Sequence, residues 1–145
     1  MENKKWLCLV TVCMIITVVC FSCDYENVQT TITKLPSKPG YPPIFIKQMT
    51  WGLTGDQQVN VISNIDSTDF TPQSSREYVY RGLSAIYYKL QDDTLFIYTP
   101  TIAPVPQDFK IPYKVIQIEL SNPEAMDLIV NDNYKQKGLT QIGPG

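Results

Sequence analysis

The sequence predicts a mostly β fold, a small antiparallel sandwich or rolled sheet with one short C-terminal helix. From Ile44 onward, short segments rich in β-branched and aromatic residues alternate with turn residues. One of these stretches, 85–99, has the alternation of a β-hairpin. A helix-start pattern appears late in the chain, at Ser121-Asn122-Pro123-Glu124.

The hairpin is the clearest predicted element. If Asp92 and Asp93 form a two-residue loop, Tyr88 pairs with Ile97 and Leu90 with Leu95 on one side of the sheet. On the other side, Tyr87 then pairs with Tyr98 and Lys89 with Phe96. A shift by one residue would mix the two faces, which favours this register. Asp-Asp lacks the glycine that such tight loops prefer, so a four-residue loop is the alternative.

The remaining elements follow from short local patterns. Strands are predicted at Ile44–Trp51, Val59–Ser63, Glu77–Arg81 and Lys114–Leu120. The polar segment 64–75 is predicted as a surface loop, and the proline-rich segment 101–112 cannot be a central strand. The helix is expected to run from about Pro123 to Val130, because a capping side chain and a first-turn proline precede an acidic residue.

Residues 1–22 have the layout of an export signal. Lys4 and Lys5 form a basic head, and residues 6–21 are almost wholly apolar. This run is shorter than the ~20 residues of a membrane-spanning helix. An uncleaved signal anchor and an ordinary secretory signal are the alternatives.

The end of the apolar run resembles a lipobox. The residues Val18-Val19-Cys20-Phe21-Ser22-Cys23 place a small side chain before a cysteine. The resemblance implies cleavage between Ser22 and Cys23 by signal peptidase II and attachment of diacylglycerol to Cys23. Cys20 stands where the signature prefers leucine, and Phe21 is bulky. Relaxed lipoboxes of this kind are typical of Bacteroidota.

The chain is therefore predicted to have three parts: a lipoprotein signal peptide at 1–22, a lipidated Pro-rich tether at 23–43 and a single β-rich domain at 44–145. The four prolines of 36–43 favour extended conformations, so the tether is a semi-rigid spacer that spans up to ~60 Å. A proline-rich ligand for an aromatic groove is the alternative. Asp24 and Glu26 resemble surface-export signals, and plain tether charge explains them equally.

Composition excludes several classes of function. The chain has no histidine, which removes the commonest general base and the commonest transition-metal ligand. Its four cysteines all lie within the first 23 residues, so no disulfide framework is expected in the domain. The net charge is −2 and the basic residues are scattered, so nucleic acid is not an expected partner.

No catalytic residue, metal site or cofactor is predicted. The close carboxylate pairs Asp66 with Asp69 and Asp92 with Asp93 fall in predicted loops, where turn formation explains them better than glycoside hydrolysis does. The stretch Asn64–Asp69 offers alternating oxygens for calcium, but it lacks the glycine and the terminal glutamate of a calcium loop.

The aromatic residues suggest a candidate binding surface. The hairpin places Tyr87, Phe96 and Tyr98 on the side opposite the aliphatic face. If this side is exposed, it is a platform suited to sugar or protein contacts. If a second layer covers it, these residues belong to the core, and the second interpretation is favoured.

A further resemblance concerns the whole mature chain. The motif Trp51-Gly52-Leu53-Thr54-Gly55-Asp56, with the Tyr-rich hairpin and the late segment 134–139, is similar to small uncharacterised lipoproteins of Bacteroidota. The resemblance implies an outer-membrane, lipid-anchored location, on the periplasmic or the exposed side, and no particular activity. The sequence thus predicts a non-enzymatic binding or assembly module with a glycan or envelope protein as partner. A structural subunit of an envelope complex and a small carboxylate-based hydrolase are the alternatives.

Overall fold

The computed structural model describes residues 28–37, 39–52, 57–67, 70–82, 85–111 and 113–142. The predicted signal peptide, the cleavage site at Ser22 and the lipidation site at Cys23 lie outside these residues. So do Leu53–Asp56 of the turn motif and Asp69.

The described part of the chain forms two four-stranded sheets. The first has the order β1-β2-β3-β4, and its strands are β1 (Gln29–Lys34), β2 (Phe45–Trp51), β3 (Gln57–Ser63) and β4 (Tyr78–Arg81). The second has the order β7-β6-β5-β8, and its strands are β5 (Ile86–Gln91), β6 (Thr94–Thr99), β7 (Lys114–Glu119) and β8 (Thr140–Ile142). Helix α1 (Asn122–Ile129), a 3₁₀ turn (Val130–Asp132) and helix α2 (Asn133–Gln136) precede β8. This arrangement confirms the predicted fold class.

The main core lies between the two sheets. Ile46 and Ile62 from the first sheet belong to the same buried cluster as Leu95 and Ile97 from the second. Alternate residues of each strand point to one face, so a short run of alternating aliphatic residues is enough to build this layer. Burial of each such side chain contributes about 1.5–3 kcal/mol.

The hairpin has the predicted register. Leu90 pairs with Leu95, Tyr88 with Ile97, Tyr87 with Tyr98 and Lys89 with Phe96. Gln91 pairs with Thr94, so the loop has two residues and the four-residue alternative is wrong. Asp92 reaches the left-handed region, with φ 51°, a conformation that Asp adopts more readily than most residues.

One strand pair is parallel, contrary to the expectation of antiparallel pairing throughout. Strand β7 runs alongside β6 with Thr94 opposite Lys114 and Thr99 opposite Glu119. Parallel neighbours need a crossover connection of a dozen or more residues, and segment 100–113 supplies it. Phe109 of this segment packs edge-on against Tyr78, with ring centroids 5.0 Å apart.

The folded region begins earlier than the predicted boundary at residue 44. Residues 29–34, assigned to the tether, form β1 and pair antiparallel with β2 over their whole length. Leu35 is 2% exposed and its amide donates to the Ile44 carbonyl at 2.8 Å. The tether prediction is therefore wrong for residues 29–35, because the threonines that read as linker residues also favour strands.

The C-terminal helix begins at the predicted place. The backbone amide and the hydroxyl of Ser121 both donate to Glu124 Oε2, at 2.8 and 2.6 Å. Both bonds lower the pKa of the Glu124 carboxyl from its usual value, and the bond from the hydroxyl has the larger effect. The capping box thereby fixes where α1 starts, and Leu128 becomes its buried anchor.

Candidate functional site

The predicted aromatic platform is not an open surface. Tyr87 is 1% exposed and shares a second buried cluster with Leu120, Leu128 and Leu139. Tyr98 packs against the same cluster, and Phe96 is half-buried. The platform interpretation is therefore wrong at Tyr87, and the core interpretation applies, with the C-terminal helical segment rather than a second sheet as the covering layer.

Of the two predicted carboxylate pairs, the one that the structure describes in full, Asp92 with Asp93, forms a turn. Asp92 and Asp93 form the tip of the hairpin, and the Asp93 carbonyl accepts a hydrogen bond from the Lys114 amide at 2.8 Å. Asp66 is exposed in the loop after β3. Among the described residues, no group of three His, Cys, Asp or Glu side chains could hold a metal ion.

A cavity of about 330 Å³ lies between β4 and the start of the segment that follows β6. Residues from both sheets line it, which places it at the junction of the two layers. Its lining includes Asn60, Glu77, Val79, Tyr80, Arg81, Thr99, Ile102, Ala103 and Pro104.

Strand register brings Asn60 to this cavity. Asn60 lies at the centre of β3, opposite Gln48 of β2 and Tyr80 of β4. It alternates with Val59 and Val61, so it shares the inner face of the sheet with Ile62. A polar residue therefore occupies a position where the fold would ordinarily place an aliphatic one.

The Asn60 side chain is buried without full hydrogen bonding. It is 1% exposed, and its Oδ1 has no partner among the described residues. The same holds for Nε2 of Gln48 and Nε2 of Gln58, two amides that are also buried on this face. Each unsatisfied buried group costs about 1–3 kcal/mol, so such groups in a native protein call for an explanation.

One wall of the cavity is held by a glutamine. Gln117 of β7 accepts at Oε1 from the Tyr80 hydroxyl at 2.7 Å and from the Ala103 amide at 2.8 Å. Its Nε2 donates to the Ala103 carbonyl at 2.9 Å. This network ties β4, β7 and the cavity wall at Ala103 together. Burial, and to a lesser extent Tyr78, raises the pKa of Tyr80, so its hydroxyl stays neutral at physiological pH.

The lining is balanced in charge and mixed in polarity. Glu77 and Arg81 contribute one negative and one positive group. Glu77 is 5% exposed, and its carboxylate accepts a hydrogen bond from the backbone N–H of Gln73 at 2.8 Å. Val79, Ile102 and Pro104 supply apolar surface beside these polar groups. The cavity therefore suits an uncharged ligand that carries both hydroxyl groups and C–H faces.

Of the predicted site residues that the structure describes, none lies in this cavity. One feature of the sequence pointed to the cavity. Gln48, Gln58 and Asn60 are polar residues at positions of β2 and β3 that face the core. Comparison with models of known protein families, with characterised proteins and with solved structures gives no match. Within the described ranges, no helix has the length and apolar character to cross a bilayer.

Proposed function

We propose that this chain is a lipid-anchored module of the bacterial cell envelope, attached to the outer membrane through Cys23, that binds a sugar unit of a glycan in the cavity beside β4. It acts by binding and not by catalysis. The observation that carries the proposal is the buried amide of Asn60, a cavity-lining residue, whose oxygen has no partner among the described residues.

The size and lining of the cavity favour a small neutral ligand. A volume of about 330 Å³ lies at the lower end of the ~300–1,000 Å³ that ligand sites occupy. A sugar ring combines hydroxyl groups, one of which would pair with Asn60, with C–H faces that would lie on Ile102 and Pro104. The envelope location, proposed from the N-terminal sequence, would bring the domain to such glycans.

Engagement of Asn60 requires a small movement. Its Oδ1 is buried. The terminal torsion of an asparagine side chain is broad, and the proposal requires the amide to rotate about it towards the cavity. A ligand hydroxyl that donates to this oxygen recovers the free energy that the unsatisfied group costs.

The cavity lining also favours binding over hydrolysis. Glycoside hydrolysis ordinarily uses two carboxylates, about 5–9 Å apart. Among the described residues that line the cavity, Glu77 is the acidic one, and its carboxylate is already engaged by the Gln73 amide. A structural role in an envelope complex is the second candidate, and the exposed strand β1 favours it.

Titration by NMR tests the proposal. The ¹⁵N-labelled mature chain in detergent micelles is titrated with glucose, galactose, mannose and N-acetylglucosamine, and with the charged glucosamine and glucuronic acid. We expect saturable shifts of the Tyr80, Thr99 and Ala103 amides with at least one neutral sugar and weaker effects with the charged ones. An absence of saturable shifts at these amides, or tighter binding of a charged sugar, would contradict it.

A further inference from the structure

Strand β1 (Gln29–Lys34) is the least protected strand of the described fold. All six of its residues are exposed, although it pairs with β2 over its full length. It stands at the end of the first sheet, so its outer edge carries backbone groups that β2 does not satisfy. A second strand that paired there would satisfy them.

The other sheet edges in the described part of the chain are protected. Strand β8 has three residues and β4 has four, and short edge strands offer little to a partner. Strand β7 is partly covered, because its four central residues are half-buried and only its terminal residues, Lys114 and Glu119, are exposed. Strand β1 is six residues long, has no proline and has a single charge, Lys34, at its last position.

We propose that β1 pairs antiparallel with β1 of a second copy of this chain, so that two four-stranded sheets become one continuous sheet. The hydrogen-bond pattern of β1 restricts the register. The Leu35 amide donates to the Ile44 carbonyl directly opposite, so residues 29, 31 and 33 bond to β2 by alternation. The amides and carbonyls of residues 30, 32 and 34 therefore point to the outer edge.

Two-fold symmetry restricts the possible registers, and the one centred on Thr31 keeps Pro36 outside the paired segment. The axis must pass through a residue, because outward-pointing residues must face each other. An axis at Thr31 pairs residue 30 with 32 and Lys34 with Val28, so the whole of 28–34 overlaps and no like charges meet. An axis at Ile32 would place Pro36, which has no amide proton, opposite Val28. The strand is thus complementary to itself about Thr31, which is why a second copy is the partner that it fits.

The strength of the pairing depends on where the chain is held. An edge contact of this length consists of backbone hydrogen bonds and buries little apolar surface, so it is weak between freely diffusing copies. Confinement on one membrane through the proposed lipid at Cys23 raises the effective concentration. This gain in effective concentration rests on the proposed anchor, whereas the register does not.

Cysteine cross-linking in whole cells tests the register. Thr31→Cys would lie opposite itself in a non-hydrogen-bonded pair, with Cα atoms about 4.5 Å apart, within disulfide range. We expect oxidation to give a disulfide dimer of the Thr31→Cys chain well above the native background. Thr33→Cys is the matched control, since residue 33 would face residue 29, and it should give little dimer.

A proline variant distinguishes pairing from chance collision. Ile32→Pro removes an amide that points outward, so β1 keeps its bonds to β2 and the thermal midpoint should stay near that of the native chain. We expect the Thr31→Cys dimer to disappear in the Ile32→Pro background. A Thr31→Cys signal no higher than that of Thr33→Cys, a dimer that survives Ile32→Pro, or a cross-link to a different protein would each overturn the proposal. Fractionation of the same cells reports on the anchor separately.

Discussion

Replacement of Tyr87 by alanine is expected to destabilise the domain by about 3–5 kcal/mol, the usual cost of deleting a fully buried aromatic ring. Tyr87 is 1% exposed and packs between the hairpin and the C-terminal segment, with its ring centroid 5.3 Å from that of Tyr134. The variant would leave a cavity beneath α1 and loosen the helix from the sheet. Urea unfolding followed by far-UV circular dichroism measures the loss.

Two control variants accompany Tyr87→Ala. Tyr87→Phe keeps the ring and removes a buried hydroxyl that has no partner among the described residues, so stability should be unchanged or slightly higher. Val105→Ala changes a residue that is 72% exposed and should have almost no effect. A Tyr87→Ala variant as stable as Val105→Ala would mean that Tyr87 is a surface residue, as the platform interpretation required.

Asn60→Leu is expected to stabilise the domain by about 1–3 kcal/mol and at the same time to reduce sugar binding at least tenfold. The apolar side chain removes the buried oxygen that has no partner, which is the source of the stability gain. It also removes the acceptor that we propose for a ligand hydroxyl. Opposite changes in stability and binding are characteristic of a binding site, where function retains a residue that the core alone would not favour. Unfolding curves and the same sugar titration measure the two effects.

Gln58→Met is the matched control for Asn60→Leu. Gln58 has a buried amide nitrogen with no partner on the same face of β3, but it does not line the cavity. We expect its replacement by a side chain of similar length to raise stability and to leave binding unchanged. If Asn60→Leu binds sugar as the native chain does, or if Gln58→Met abolishes binding equally, Asn60 has no special role.

Local patterns predicted the parts of the fold in which near neighbours decide the structure. The register of the hairpin followed from the alternation on both sides of Asp92 and Asp93, because a one-residue shift of β6 would move Leu95 and Ile97 off the aliphatic face of the hairpin. The start of α1 followed from Ser121 and Glu124, which interact across a single turn.

Features that depend on distant contacts were not predictable in the same way. The cover over Tyr87 comes from Leu128 and Leu139, and nothing in the hairpin itself specifies it. Pairing of β1 with β2 depends on how the chain returns after Leu35, whereas the prolines that follow favoured a spacer. The parallel pairing of β7 depends on the path of segment 100–113, which the Gln117 bonds to Ala103 help to fix.

The cavity was missed for a related reason. Asn60 and Gln58 are recognisable in the sequence as polar residues of a strand. Polar residues are ordinary in a strand that has one face exposed to solvent, so they did not indicate a site. The second sheet and the crossover segment pack on the inner face and exclude solvent from it. Asn60 thereby becomes a buried polar residue among apolar ones. The burial of an amide, rather than its presence in the sequence, identifies the site.

Intact mass spectrometry of the chain extracted from membranes addresses the envelope assignment directly, with Cys23→Ala as the companion sample. Attachment through the thiol of residue 23 corresponds to a species that begins at Cys23 and carries fatty acyl chains, and the alanine variant would lack this species. A native chain that starts at another residue, or that has no acyl mass, would refute the anchor and with it the route by which the domain reaches a glycan.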